Sequence, residues 1–158
     1  MEYIARQFQE IGLRPGGVDD TWFQPFEVSM GKKLVDEAAE LRIPDTDVSW
    51  QVRRDWIPLP FTALDDVTAP VAFAGYGISA PEEEYDDYAD FDATGKILLI
   101  FRYEPLADDP NAAFGGSDAS RHALFRRKAD VAARHGAKAL LIVTPPGYPG
   151  AEPGLYAF

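Results

Sequence analysis

A chain of 158 residues with 46% hydrophobic side chains can bury one core and is too short for two sizeable ones. Its 15 Lys plus Arg against 26 Asp plus Glu give a formal charge of −11, a field that repels phosphate backbones and anionic lipid and argues against nucleic acid as a partner. No apolar run approaches the roughly 20 residues that span a bilayer, and with no cysteine there are no disulfides and no thiolate chemistry.

The opening MEYIARQFQEIG does not read as a signal peptide, having an acid at position two and amphipathic spacing. Ile4, Phe8 and Ile11 recur at i, i+4 and i+7, which predicts a short helix with one apolar stripe. Gly12 sits where a left-handed C-terminal cap belongs. Residues 21–62 read as irregular β structure. TWFQPFEV is extended by composition, with Pro25 suited to an edge or a bulge. In residues 31–41 the spacing of Leu34, Val35, Ala38, Ala39 and Leu41 also fits a helix, but β is the reading preferred. Residues 50–52 alternate as a short strand, and DWIPLPF, with Pro58 and Pro60, is not helical.

Residues 69–105 are the most informative stretch. Two apolar runs, 70–74 and 96–101, have strand length and glycine boundaries. Between them Gly75 and Gly77 flank Tyr76, where the backbone can bulge or take positive φ. The acids Glu82, Glu83, Glu84, Asp86, Asp87, Asp90 and Asp92 read as a solvated loop, anchored to the sheet by Tyr85, Tyr88 and Phe91. They lack the spacing of a calcium-binding loop. Beyond a loop rich in turn formers, residues 119–135 read as a helix. Phe125, Ala129, Ala132 and Ala133 fall on one face, Ser117 or Asp118 is the N-cap and Gly136 the C-cap. Residues 138–143 form the next buried strand. Strand, helix and strand in that order make a crossover between parallel neighbours.

Few residues carry chemistry. GYGISAP lacks the third glycine of a dinucleotide fingerprint, and there is no Gly-x-Ser-x-Gly elbow. His122 and His135, thirteen residues apart on one predicted helix, would lie about 20 Å apart along its axis, too far to share a metal. Open α/β sheets present ligands at the carboxyl ends of their strands. Arg102, Tyr103 and Glu104 leave such an end, and Phe114, Arg121 and His122 approach it from the loop and helix start. These six are the candidate substrate-facing or interface residues. Surface arginines that merely balance nearby carboxylates are the plainer alternative.

GYGISAPEEEYDDYADFDATGKILLIFR and the later FGG…SRHALFRRKADVAARHGAKALLIVTPP closely resemble the protease-associated domain inserted in secreted and periplasmic di-zinc aminopeptidases, relatives of glutamate carboxypeptidase and the transferrin receptor. EYIARQFQEIGLRPGG…TWFQPFEV resembles the first helix and following strand of the peptidase domain in that family. The resemblance implies a mixed α/β fold: a β-sandwich or open barrel with flanking helices, preceded by a short N-terminal helix. It divides the chain into residues 1–30, resembling the start of the peptidase domain, and residues 31–158, a protease-associated domain that stops short at its C-terminal end. It also implies a sheet with an unpaired edge or partly exposed apolar face, open to self-association or to docking on the parent protein.

The function implied is non-catalytic. The family holds two zinc ions with a His-x-Asp motif, a bridging Asp, a Glu–Glu pair and further Asp and His ligands, because two cations about 3.5–4 Å apart need a shared carboxylate. Neither histidine here begins His-x-Asp, so no cofactor is expected in this chain, and both zinc ions belong to a separate peptidase domain. The partners implied are that domain and its peptide substrate, in a secreted or periplasmic protein. Two other hypotheses stand beside this one: a stand-alone small-ligand or protein-interaction module sharing the fold, and a self-contained hydrolase with an unusual carboxylate site.

Overall fold

The computed structural model describes residues 2–28, 33–105, 114, 119–148 and 154–155, and the chain divides into two units, Met1–Val35 and Asp36–Phe158. It is a mixture of helix and small sheets, with a short helix at its N-terminus. Among the described residues no helix is long and apolar enough to cross a membrane.

In the first unit the predicted helix forms as α1, Glu2–Glu10. Gly12 takes φ +81, its N–H donates to Gln9 O at 3.1 Å, and Leu13 N–H donates to Phe8 O at 3.0 Å. These are the paired bonds of a Schellman cap, which needs a residue free to adopt positive φ. The Phe8 ring lies 6.0 Å from that of Trp22, while Ile4 and Ile11 stay exposed. Residues 21–28, expected to supply a strand, enter no ladder. After a 3-10 turn at Val18–Asp20, Gly17 N–H donates to Thr21 O at 2.8 Å and the Thr21 hydroxyl sits 2.9 Å from Phe23 O. Local turn bonds take the backbone groups that a strand would have offered to a neighbour.

The second unit begins with slight structure. Of residues 31–41, the first two lie outside the described residues. Asp36–Ala38 makes one 3-10 turn, and only β1, Leu41–Arg42, is strand, paired antiparallel with β2, Ser49–Trp50. Arg53 Nε reaches both Asp36 carboxylate oxygens at 2.7–2.8 Å, tying that turn to the loop after β2 rather than to a following helical turn.

The centre is a three-stranded parallel sheet in the order β3–β6–β7, where β3 is Val71–Phe73, β6 is Ile97–Phe101 and β7 is Ala139–Val143. All three strands fall inside their predicted spans. Between β6 and β7 the chain crosses over through α2, Phe125–Arg134. Gly136 caps α2 at φ +80, with Gly136 N–H on Ala133 O and Ala137 N–H on Ala132 O, both 3.0 Å. The helix is shorter than expected. Arg121–Ala123 is a separate 3-10 turn, broken from α2 by extended backbone at Leu124. His122 and His135 are therefore not on one helix. The predicted caps Ser117 and Asp118 lie outside the described residues, and Ser120 caps the 3-10 turn instead by accepting from His122 N–H.

Alternation along β6 decides the two faces of the sheet. Leu98 and Ile100 are fully buried and cluster with Ala74, Tyr88, Ala93, Val131 and Ala132, with Leu140 and Ile142 packed alongside. The buried residues of α2 are Lys128, Val131 and Ala132. The helix is thus turned about one residue from the expected face: Ala133 is exposed and Phe125 is half-buried at the helix start, outside the core cluster. The opposite face is apolar in every row of the register: Val71–Ile97–Ala139, Phe73–Leu99–Leu141 and Phe101–Val143. There Val71 is 58% exposed, Phe73 51% and Val143 40%.

The acidic stretch is more ordered than a solvated loop. It contains the hairpin of β4, Ser79–Ala80, and β5, Tyr85–Asp86, joined through the 3-10 turn Pro81–Glu83. Asp87 accepts from Tyr76 N–H and Ile78 N–H, both at 3.0 Å, and from the Tyr85 hydroxyl at 2.8 Å. Gly75 and Gly77 take φ +54 and +65 to aim those amides at it, and a Cβ on Gly75 would stand 2.3 Å from Asp87 Oδ1. The GYG turn is an anion-binding concavity filled by the chain's own carboxylate. Tyr88 is buried against the core with its ring stacked 4.2 Å from His135. Burial pushes its hydroxyl up to about 12. Phe91 packs on the same core, so two of the three predicted anchors reach the sheet, while Tyr85 packs in a separate cluster with Ile78, Ala80 and Phe114.

Candidate functional site

The C-terminal end of β6 gathers the polar side chains of the second unit. A strand that stops leaves carbonyls without ladder partners, and buried carbonyls must find donors elsewhere. Here one donor serves three. Lys128, fully buried on the inner face of α2, donates from Nζ to Tyr76 O at 2.6 Å, Phe101 O at 2.9 Å and Tyr103 O at 2.6 Å. An ammonium has three N–H groups, and each has a carbonyl. Burial pushes this group down to about 8, while Asp87 and Glu104 pull it back up, so it carries its charge at pH 7. The tripod binds the GYG turn to the strand end and helps hold Tyr103 at φ +67, a strained region for an aromatic residue.

The six candidate residues fall into two groups around this lysine. Glu104, Phe114, Arg121 and His122 come together. Glu104 is 1% exposed and accepts from Ser120 N–H at 2.9 Å and from the Ser120 hydroxyl. Phe114 is buried between the rings of Tyr85 and His122, at 5.3 and 5.6 Å. Arg121 reaches out to Glu82 at 2.9 Å and donates from Nε to His122 Nε2 at 3.3 Å. Arg102 and Tyr103 form the second group. The Arg102 guanidinium lies 4.6 Å from the Tyr103 ring centre and 5.5 Å from that of Phe125, and Tyr103 stacks on Tyr148 at 4.3 Å. The Tyr148 hydroxyl donates to Glu104 O at 3.1 Å and joins the two groups.

What these groups can do chemically follows from their partners. The Glu104 carboxylate is sealed under Ser120. His122 is 5% exposed, and burial holds its imidazole below its ordinary value, helped by Arg127 and Arg121. Its Nε2 accepts from Arg121, which places the proton of the neutral ring on Nδ1. Burial also raises the Tyr85 hydroxyl, with Asp87 as its hydrogen-bond acceptor. Among the described residues no three His, Cys, Asp or Glu side chains are grouped to hold a metal ion. His122 Nε2 accepts from Arg121 and its ring meets Phe114, while the ring of His135 stacks on Tyr88.

The buried imidazole makes stability depend on pH. The unfolded chain protonates His122 near 6.5 and the folded chain only at lower pH. Below 6.5 the unfolded state therefore binds more protons, and stability falls as pH falls through that value toward the folded one. Urea unfolding from pH 7.5 to 5 should show this loss in the natural chain and a flatter profile in His122→Gln. Parallel profiles would mean that His122 titrates alike in both states.

Three residues were missed by reading the sequence: Lys128, Ser120 and Asp87. Lys128 had a signal, since it stands three and four residues before Val131 and Ala132 and so shares their stripe. Compared with protein-family models, with curated proteins and with solved structures, the chain matches none.

Proposed function

We propose that this chain is a non-catalytic protease-associated domain, with an adjoining N-terminal segment, of a secreted or periplasmic zinc aminopeptidase. In this reading the second unit belongs to a β-sandwich or open barrel, and the two zinc ions sit in a separate peptidase domain. The parent protein removes N-terminal residues from peptides, and this domain restricts which substrates reach the cleft. The supporting observation is the use to which the polar groups at the end of β6 are put. Glu104 is bound by Ser120, Lys128 by three carbonyls, Asp87 by two amides and a phenol, and Arg121 by Glu82. Such partners shape a rigid strand end, whereas a nucleophile or general base needs a lone pair turned toward substrate.

The gene's reading frame around this chain tests the proposal. A signal peptide upstream, and a His-x-Asp with Asp and Glu–Glu partners downstream, are the expected result. A frame without those peptidase residues overturns it and favours the stand-alone interaction module.

A further inference from the structure

Surface arginines mostly balance nearby carboxylates, and Arg121 does so with Glu82. Arg102 does not. Its guanidinium lies 4.6 Å from the Tyr103 ring centre and 5.5 Å from that of Phe125, within the range of a cation–π contact. Among the described residues it forms no ion pair and donates no side-chain hydrogen bond. A guanidinium carries five N–H donors, and contact with aromatic rings leaves them without an acceptor oxygen. We propose that Arg102 binds a carboxylate group, carried by a peptide either as an acidic side chain or as its C-terminus. The inference concerns binding alone and does not rest on the peptidase reading above.

The side chain is held ready for such a ligand. Arg102 N–H donates to Val143 O at 2.8 Å, which fixes the residue to the end of β7. The neighbouring Tyr103 is held twice: its carbonyl accepts from Lys128 Nζ at 2.6 Å, and its ring stacks 4.3 Å from Tyr148. Phe125 opens α2. Arg102, Tyr103 and Phe125 are all half-buried. A charge-assisted bond is stronger there than in open water, and part of the ordering that binding requires is already in place. The site lies just past the carboxyl end of the central parallel strand, where open α/β sheets present their ligands.

Charge selects the ligand. The chain's −11 opposes any anion, and opposes a dianion such as phosphate more than a single carboxylate. The segment that brings Phe125 to Arg102 has the reverse balance: residues 121–128 hold Arg121, Arg126, Arg127 and Lys128 and no acid. Arg126 and Arg127 form no ion pair among the described residues, and Arg127 Nε is buried without a hydrogen-bond partner. At physiological salt the Debye length is about 8 Å, so a ligand on Arg102 answers to these charges before the acids farther off. The planar fork of a guanidinium matches the two oxygens of a carboxylate.

The test is nuclear magnetic resonance of the arginine Nε–H groups in the full chain during titration with N-acetylated tripeptides. One has a central Glu and an amidated end, one a central Gln and a free C-terminus, and one a central Gln and an amidated end, with Gly elsewhere. Inorganic phosphate is titrated separately. The expected result is a saturable shift of the Arg102 signal with one or both carboxylate peptides and none with the neutral peptide, weakened by added salt. The peptide that responds identifies the source of the carboxylate. Arg102→Gln should lower the affinity at least about tenfold, and Arg102→Lys, which keeps the charge and loses the fork, at least about threefold. Arg134→Gln, at an exposed position near the far end of α2, should leave it unchanged. The proposal is overturned by no saturable shift with either carboxylate peptide, by an equal shift with the neutral one, or by shifts at Arg134 as large as those at Arg102. Unchanged affinity in Arg102→Gln, or in Arg102→Lys if the first variant does not fold, also overturns it, as does tighter binding of phosphate than of either peptide.

Discussion

Replacing Lys128 by Met should destabilise the chain by about 3–5 kcal/mol, the cost of breaking a buried charge arrangement by removing one partner. The side chain is close in length and apolar, so little packing is lost. What is lost is the donor to Tyr76, Phe101 and Tyr103, whose carbonyls would then stay buried without partners. Asp87 and Glu104 would lose the nearby positive charge as well. Lys138→Met, at an exposed position, is the control and should stay within about 0.5 kcal/mol of the natural chain. Equal urea midpoints for the two variants would show that the tripod does not hold the strand end.

Leu98→Ala should cost about 2–5 kcal/mol, as for other fully buried leucines on a central strand. Val131 and Ala132 press on it from the helix and Leu140 flanks it in register, so the cavity has little room to collapse. Leu140→Ala lies on an edge strand and is only partly buried, which places it near the lower end of that range. Val71→Ala, on the exposed face, should change stability by less than about 1 kcal/mol. If Leu98→Ala shifts the unfolding midpoint no further than Val71→Ala, the assignment of inner and outer faces is wrong.

The sequence was most legible where a residue's state depends on near neighbours. Gly12 and Gly136 announce helix ends because only the next few residues decide a left-handed cap. The strands at Ile97–Phe101 and Ala139–Val143 are legible as short apolar runs between turn formers, and their parallel pairing follows from the helix between them. Tyr88 and Phe91 were legible as anchors because aromatic rings within an acidic run are buried on the nearest apolar surface, here the sheet core.

Long-range partners were not legible. A lysine reads as surface until the three carbonyls it serves are known, and two of those sit more than 25 residues away. Asp87 resembles its acidic neighbours, and only the GYG turn folding over it makes it structural. The contacts of the candidate residues at the end of β6 were equally out of reach: Glu104 lies beneath Ser120, 16 positions later, and Tyr103 stacks on Tyr148, 45 positions later. Leu124 interrupts the expected helix although its sequence neighbours are compatible with one, because Ser120 caps a 3-10 turn just before it.

The central claim is that the polar groups at the end of β6 build structure and perform no chemistry on a substrate. Hydrolysis of aminoacyl-nitroanilides by the purified chain, with and without added zinc, tests it most directly. The prediction is no turnover above a mock purification under either condition. Turnover that is zinc-dependent, abolished by a chelator and absent from the mock would contradict it.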